Sequence, residues 1–424
     1  MSVNDSRPPA IPMLSRSASF ILSLLLLSAA PVQAATKTAK TAAPAPVQPV
    51  TPTPPASDTV TLAYLGQSAQ TPPLVPFFDP LTPDQGRQGA RLAIRDNNTT
   101  GRFTRQNFVL DETVVAADGD VDAVFRALLA RGYRHILVNL PVARVRQLAA
   151  LAEADNSLIY DIANTDEPGQ ARDCQANVLK LMPGRAMQAD ALAQYLLKKR
   201  WSRWFLAIGP GEADQRFAAA IRRAAQRFGA KIVEEKVWQH TFADRRTPES
   251  EIPVYTQGND YDVLVVADEA GLFGDSLAYR TWRPRPVVGT QGLRPVNWHH
   301  THEAWGALQL QNRFREQAGY PMTAIDYAAW LAVRAVGEAA TRTRSVQFEA
   351  IRAYLRGTEL ALAGFKGVPL SFRPWDGRLR QPLLLAADRS MVAVAPLEGF
   401  LHPRNELDTL GYDEPESPCH PTSP

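Results

Sequence analysis

The residues best suited to bind something recur in one setting, just past the ends of short apolar runs. Gly66 and Gln67 follow the run at 60–65, and Asn139 and Pro141 stand at the end of the run at 136–140. Asp161 and Asn164 follow 158–160, Gly209 and Asp214 follow 204–208, Asp268 and Glu269 follow 263–267, and Thr290 and Gln291 follow 287–289. Arg185 opens a stretch of helical periodicity after Pro183 and Gly184. Amides, a hydroxyl, small residues and a few charges suit recognition by hydrogen bonding. The same residue types also cap helices and build turns. Arg185 is the strongest charged candidate for an anionic group, because a helix start itself favours negative charge.

Other chemistries find less support. Asp118, Asp120 and Asp122 are spaced like part of a calcium loop, but the glycine and closing glutamate are misplaced, and a helix N-terminus accounts for them more simply. His299, His300 and His302 form a cluster whose spacing fits no zinc signature, so no metal is expected. The chain contains no G-x-S-x-G elbow, Walker loop or H-E-x-x-H pair. Gly209-Pro210-Gly211 is only a fragment of a dinucleotide fingerprint. The reading is therefore binding without catalysis, and no cofactor is expected.

The elements that position these residues alternate in type. Strand-like runs at 60–65, 108–110, 136–140 and 158–161 alternate with helical periodicity over 85–97, 121–131 and 144–154. The pattern restarts with a strand at 178–181, helices over 185–199 and 214–228, and strands at 204–208, 231–233, 263–266 and 287–288. Two such series predict an α/β fold of two lobes, each a parallel sheet flanked by helices. A long helix over 326–341, a second over 347–356 and a turn at Asp376-Gly377 between two strands complete the pattern. In open sheets of this kind, ligands sit beyond the carboxyl ends of the strands. Two lobes set those ends facing one another across a cleft.

The ends of the chain read differently. Arg7 and Arg16 precede an apolar run at 20–27, and Val32-Gln33-Ala34 suits cleavage before Ala35. These are the parts of an export signal, expected over 1–34 and implying a periplasmic destination. Residues 35–57, rich in Ala, Thr and Pro, are expected to be a disordered linker. The first lobe is expected over 58–175, completed by about 305–345. The second is expected over 176–300, completed by about 346–390, with a tail over 391–424. In an oxidising compartment the two cysteines, Cys174 and Cys419, suggest a disulfide tying that tail to the middle of the chain. The net charge of +3, with basic and acidic residues interspersed, gives no reason to expect a nucleic-acid partner.

This order of elements resembles the type I periplasmic binding family, which includes branched-chain amino-acid receptors of ABC importers. The likeness spans about 58–385. Its most telling part is Gly364-Phe365-Lys366-Gly367-Val368-Pro369-Leu370-Ser371-Phe372, continuing to Asp376-Gly377. The resemblance implies a small-molecule or ion ligand held between the lobes, and ABC permease and ATPase partners. A narrower likeness is to the subfamily associated with PQQ-dependent alcohol dehydrogenase systems. It rests on residues 261–269, 285–293 and 303–310, and on Glu398-Gly399-Phe400-Leu401-His402 with Leu407-Asp408-Thr409-Leu410-Gly411. That likeness implies a link to quinoprotein alcohol oxidation, either as a solute-binding component or as a sensor or adaptor without a transport role. The family's usual amino-acid recognition phrase is replaced here by Asn139-Leu140-Pro141. The ligand class stays open among a metal ion, PQQ, an alcohol-derived compound and an amino acid.

Overall fold

The computed structural model describes residues 58–68, 84, 86–239 and 248–419. The expected export signal, the linker over 35–57 and His420 lie outside the described residues.

The first sheet takes β1 (Asp58–Gln67), β2 (Gln106–Val115), β3 (His135–Asn139), β4 (Leu158–Asp161) and β5 (Val178–Lys180). Its strands are all parallel and run in the order β2-β1-β3-β4-β5. The helices between them are α1 (Arg87–Thr104), α2 (Val121–Ala130) and α3 (Val142–Ala149). The second lobe repeats the scheme. α4 (Arg185–Lys198), β6 (Arg203–Ile208), α5 (Glu212–Phe228), β7 (Lys231–Val237), α6 (Pro248–Tyr255), β8 (Val263–Ala267), α7 (Gly274–Arg280) and β9 (Val287–Gly289) build a parallel sheet in the order β7-β6-β8-β9. In each sheet the first strand of the series lies between the second and the third. The strand order therefore reverses at that strand, which is where such sheets open a crevice. β3 and β8 are apolar runs because helices cover both of their faces.

The chain then runs back and forth between the lobes. After β10 (Arg294–Val296) come α8 (Ala307–Ala318), α9 (Ala324–Thr343), α10 (Phe348–Arg356), β11 (Leu362–Ala363), β12 (Pro369–Phe372) and β13 (Leu379–Arg380). Leu310, Trp330, Ile351, Leu370 and Leu379 from this stretch share one core with Leu62 of β1 and Leu92 of α1. β14 (Leu383–Ala387) and β15 (Ser390–Ala395) pair with β10 in a small antiparallel sheet. Leu383 and Leu385 belong to the core of α4, α5, β6 and β8. α1 and α9 touch closely, since a Cβ on Gly89 would lie 1.9 Å from the carbonyl oxygen of Asp326.

Three expectations need correction. The strand at 178 does not begin the second lobe, because β5 pairs with β4 at the edge of the first sheet. The stretch at 346–380 completes the first lobe, and only from Leu383 does the chain complete the second. The Asp376-Gly377 turn does join two strands, with Gly377 at φ 66°, but the second of them is β13 and not the run at 382–385. In the first two cases pairing or packing with a partner distant in sequence decides the lobe.

The tail returns across the molecule. Leu397 donates its backbone N–H to Gln194 of α4 (2.9 Å), and Phe400 packs edge-on against Phe228 of α5. Cys419 is joined to Cys174, which lies between β4 and β5, with their Cα atoms 5.6 Å apart.

Candidate functional site

The strand ends of the two lobes meet around Arg185. Its position as the first residue of α4 follows from Pro183 and Gly184, which break the chain just before it. The residue is 5% exposed and its guanidinium is fully engaged. Nε and Nη2 grip the Glu269 carboxylate at 2.6 and 2.7 Å, and Nη1 reaches Asp166 of the first lobe at 2.7 Å. Asp166 also accepts from Arg216 of α5 at 2.8 Å. A carboxylate from one lobe is thus held by two guanidinium groups from the other. Burial works against the Asp166 charge, but Arg185 and Arg216 outweigh it and hold its carboxyl below the usual range. Arg185 likewise is penalised by burial and is raised overall by Glu269 and Asp166.

Glu167 extends the contact. Its Oε1 accepts from the backbone N–H of Ala186 at 2.8 Å, so a first-lobe carboxylate fills the positive end of α4. Burial pushes Glu167 up, with Arg378 pulling the other way. The fit requires Gly184, whose Cβ would fall 2.1 Å from the same oxygen. Arg378, 1% exposed, donates to the carbonyls of Met182 and Asp166, both at 2.6 Å, and fixes the approach of this loop.

Other candidates form local networks. Asp214 accepts from the N–H of Glu269 (2.6 Å) and of Gly211 (3.0 Å), and so orients Glu269 toward Arg185. Gly209 lies against the same carboxylate, where its Cβ would fall 2.2 Å from Oδ2. Asp268, fully buried, accepts from the N–H groups of Leu272, Phe273 and Gly274 and shapes the turn into α7. Thr290 accepts from the N–H of Asp268 at 2.9 Å, and Gln291 donates to the Asp268 carbonyl at 3.1 Å. In the first lobe Asp161 accepts from the N–H groups of Ala163 and Asn164, and Asn164 donates to the Leu140 carbonyl at 2.9 Å. Burial pushes Asp161 up in spite of these bonds. Asn139 hydrogen-bonds the Tyr64 side chain. Pro141 stands at the N-cap of α3, and its carbonyl accepts from Arg144 and Val145. Gln67, just past Gly66, turns away toward β2 and donates to the carbonyls of Ala116 (3.2 Å) and Ala117 (3.0 Å).

Of the sequence candidates, the structure brings Arg185, Asp214 and Glu269 together. Asp166, Glu167, Arg216 and Arg378 were missed. Asp166 and Glu167 stand beyond the end of β4 and satisfy the same positional rule as Asp161 and Asn164. Arg216 and Arg378, on a helix and a hairpin, carry no comparable signal. Among the described residues no group of three or more His, Cys, Asp or Glu is placed to hold a metal ion. Asp120 caps α2 through the N–H of Ala123 at 3.0 Å, as a helix start requires. His302 lies 2.8 Å from the carbonyl oxygen of Phe365. A separate cavity of about 500 Å³ lies beyond the end of β7, lined by Trp238, Tyr255, Val237 and Val254 among others.

Two lobes of like strand order, joined by three passages and meeting at their strand ends, decide the architecture. The chain has the type I periplasmic binding fold. Solved structures agree over nearly the whole described body. A branched-chain amino acid ABC transporter periplasmic ligand-binding protein from Burkholderia xenovorans is similar at a TM-score of 0.68 and 15% identity, with 86% of this chain and all of that chain covered. A periplasmic binding protein from Burkholderia mallei is similar at a TM-score of 0.62 and 12% identity, with 86% of this chain and 100% of that chain covered. The substrate-binding protein LivJ from Streptococcus pneumoniae, in complex with isoleucine, is similar at a TM-score of 0.58 and 15% identity, with 80% of this chain and 99% of that chain covered. No protein-family model matches the sequence, and no curated protein matches it.

Proposed function

We propose that this chain is the solute-binding component of an ABC importer, exported to the periplasm, where it captures a small solute between its lobes without transforming it. The observation that carries the reading is the pairing of two lobes of like strand order whose strand ends meet around Arg185. Support comes also from the likeness to solved binding proteins, which extends over all or nearly all of their length. Hinged lobes of this kind bind by closing, and a solute that contacts both lobes favours the closed state. An ATPase-driven permease would then take the solute from the closed form.

The charge pattern bears on what the solute is. Arg185 is neutralised by Glu269 and Asp166, and the α4 N-terminus by Glu167. An anion entering here must displace one of the protein's own carboxylates. A solute with no net negative charge faces no such competition. The likeness of residues 261–269 and 285–293 to the subfamily tied to PQQ-dependent alcohol dehydrogenases motivates a link to quinoprotein alcohol oxidation.

A second reading is a periplasmic sensor or adaptor of the same system with no transport role. The mutual satisfaction of the boundary residues favours it, since the lobes meet through their own side chains. A thermal-shift screen separates the two. The panel holds calcium, lanthanide ions, PQQ, short alcohols and their acids, and amino acids. A compound at 100 times its dissociation constant stabilises by about 2.7 kcal/mol, a rise of several degrees. A selective rise supports the solute reading. A flat response from the folded protein overturns it for this panel and favours the adaptor.

A further inference from the structure

The tail after β15 alternates between the lobes. It starts on the second, where Leu397 meets Gln194 and Phe400 meets Phe228. It then reaches the first. Asp408, 4% exposed, accepts from Nε of Arg373 at 3.1 Å and of Arg380 at 2.8 Å, on either side of the β12–β13 turn. Arg373, itself 2% exposed, also donates to the Leu410 carbonyl at 2.6 Å. The next residue returns to the second lobe. Gly411 donates its N–H to Asp190 of α4 at 2.8 Å, and its carbonyl accepts from Arg223 and Arg227 of α5. Asp190 is fully buried and paired with both arginines. Glu416 stays on that lobe, at 2.8 Å from Arg223. The path ends on the first lobe at the Cys174–Cys419 disulfide.

We propose that residues 396–419 are a strap that restricts how far the lobes open, fixed covalently at Cys174, by the buried ion pairs of Asp408, and by the hydrogen bonds of the Gly411 backbone to Asp190, Arg223 and Arg227. Three passages of the chain already join the lobes, at 181–184, 297–303 and 381–382. The strap adds a fourth connection, and a hinge motion that parts Arg373 from Asp190 must pull on the few residues between Asp408 and Gly411. Those residues are anchored on both sides by charged groups with almost no access to water. Breaking the Asp408 anchor would leave a buried charge unpaired, and parting Gly411 from Asp190, Arg223 and Arg227 would forfeit three charge-assisted hydrogen bonds, so the strap resists as a unit. The inference rests on the fold and not on the solute reading, because its test needs no ligand.

The test uses the mature full-length chain without added solute. Small-angle scattering is recorded for the wild type, for the wild type reduced and alkylated, and for Cys419→Ser with Cys174→Ser and Asp408→Asn combined. A larger radius of gyration on release of the strap, with unchanged circular dichroism, is the expected result. An unchanged radius in both released forms overturns the proposal. Hydrogen exchange on the unaltered wild type gives an independent reading that no misfolded variant can obscure. The amides of Leu410 and Gly411 are expected to exchange as slowly as those of β6. Exchange at the rate of exposed loops overturns the strap.

Discussion

The carboxylate of Asp166 lies 2.7 Å from Arg185 and 2.8 Å from Arg216, so one acidic group of the first lobe is shared by two basic groups of the second. Both lobes therefore have a stake in the same charge. Replacing Arg185 with Met leaves Glu269 and Asp166 facing each other at the boundary with less compensation. The expected loss of stability is about 3 kcal/mol, near the cost of breaking a buried pair. Urea denaturation of the variant beside the wild type measures it. Asp166→Asn should cost less, because Arg185 keeps Glu269.

Histidine burial sets a mild-acid dependence. His135, 3% exposed and hydrogen-bonded to Tyr160, is pushed down to about 3 by burial, and His299 to about 4, burial again being the main cause. The unfolded chain takes up these protons near pH 6.5 and the folded chain does not. Stability is therefore present above pH 6.5 and is lost as pH falls below it, continuing to about the folded values. From pH 6.5 to pH 5, His135 contributes a loss of about 2 kcal/mol, and the less deeply buried His299 contributes less. Denaturation of His135→Phe beside the wild type at both values should show a smaller loss in the variant. An equal loss in that variant would assign the effect elsewhere.

The close contact of α1 with α9 predicts a sharp response to one methyl group. In Gly89→Ala the new Cβ meets a backbone oxygen of Asp326, which no side-chain rotation relieves. The helices must separate, at a cost of about 2 kcal/mol. A lower melting temperature is expected, with the change in chemical shifts confined to the first lobe. Gly229→Ala tests a different cause. Its Cβ meets nothing within 4 Å, so any loss there comes from the positive φ of 80°.

The disulfide predicts a further loss. Cys174 and Cys419 are 245 residues apart, and closing so long a loop restricts the unfolded chain strongly. Replacing both with Ser should destabilise by about 5.5 kcal/mol on the chain-entropy account. The wild type measured with and without reductant provides the same comparison with no substitution.

Much of the fold was legible because its central strands are buried on both faces. β3 and β8 read as apolar runs, and turn residues mark where they stop. What periodicity does not carry is the choice of sheet. β5 is only three residues long, and its partner β4 lies across a loop that holds Cys174. β12 and β13 join the first lobe through contacts with residues far away in sequence. At the site, the rule of strand ends found Arg185 and Glu269. It also named Gln67, whose amide goes to the next strand's exit, because the rule gives a position and no direction. Asp166 satisfies the same rule, but its loop is brought to Arg185 by Arg378 from a distant hairpin, which no local pattern announces.

β13 ends at Arg380 in one lobe, and β14 begins at Leu383 in the other. Only Gln381 and Pro382 lie between. Three peptide steps span at most about 11 Å, so the lobes cannot draw apart at this point. Gln381 is fully buried and donates to the Leu181 carbonyl at 2.8 Å, which binds a second passage to the first. Lys366, also buried, donates to the Pro382 carbonyl at 2.8 Å. Any relative motion must keep this spot nearly stationary, so it acts as a pivot. In any swing of the lobes the far rims of the cleft would travel most, and the residues beside the pivot would scarcely move.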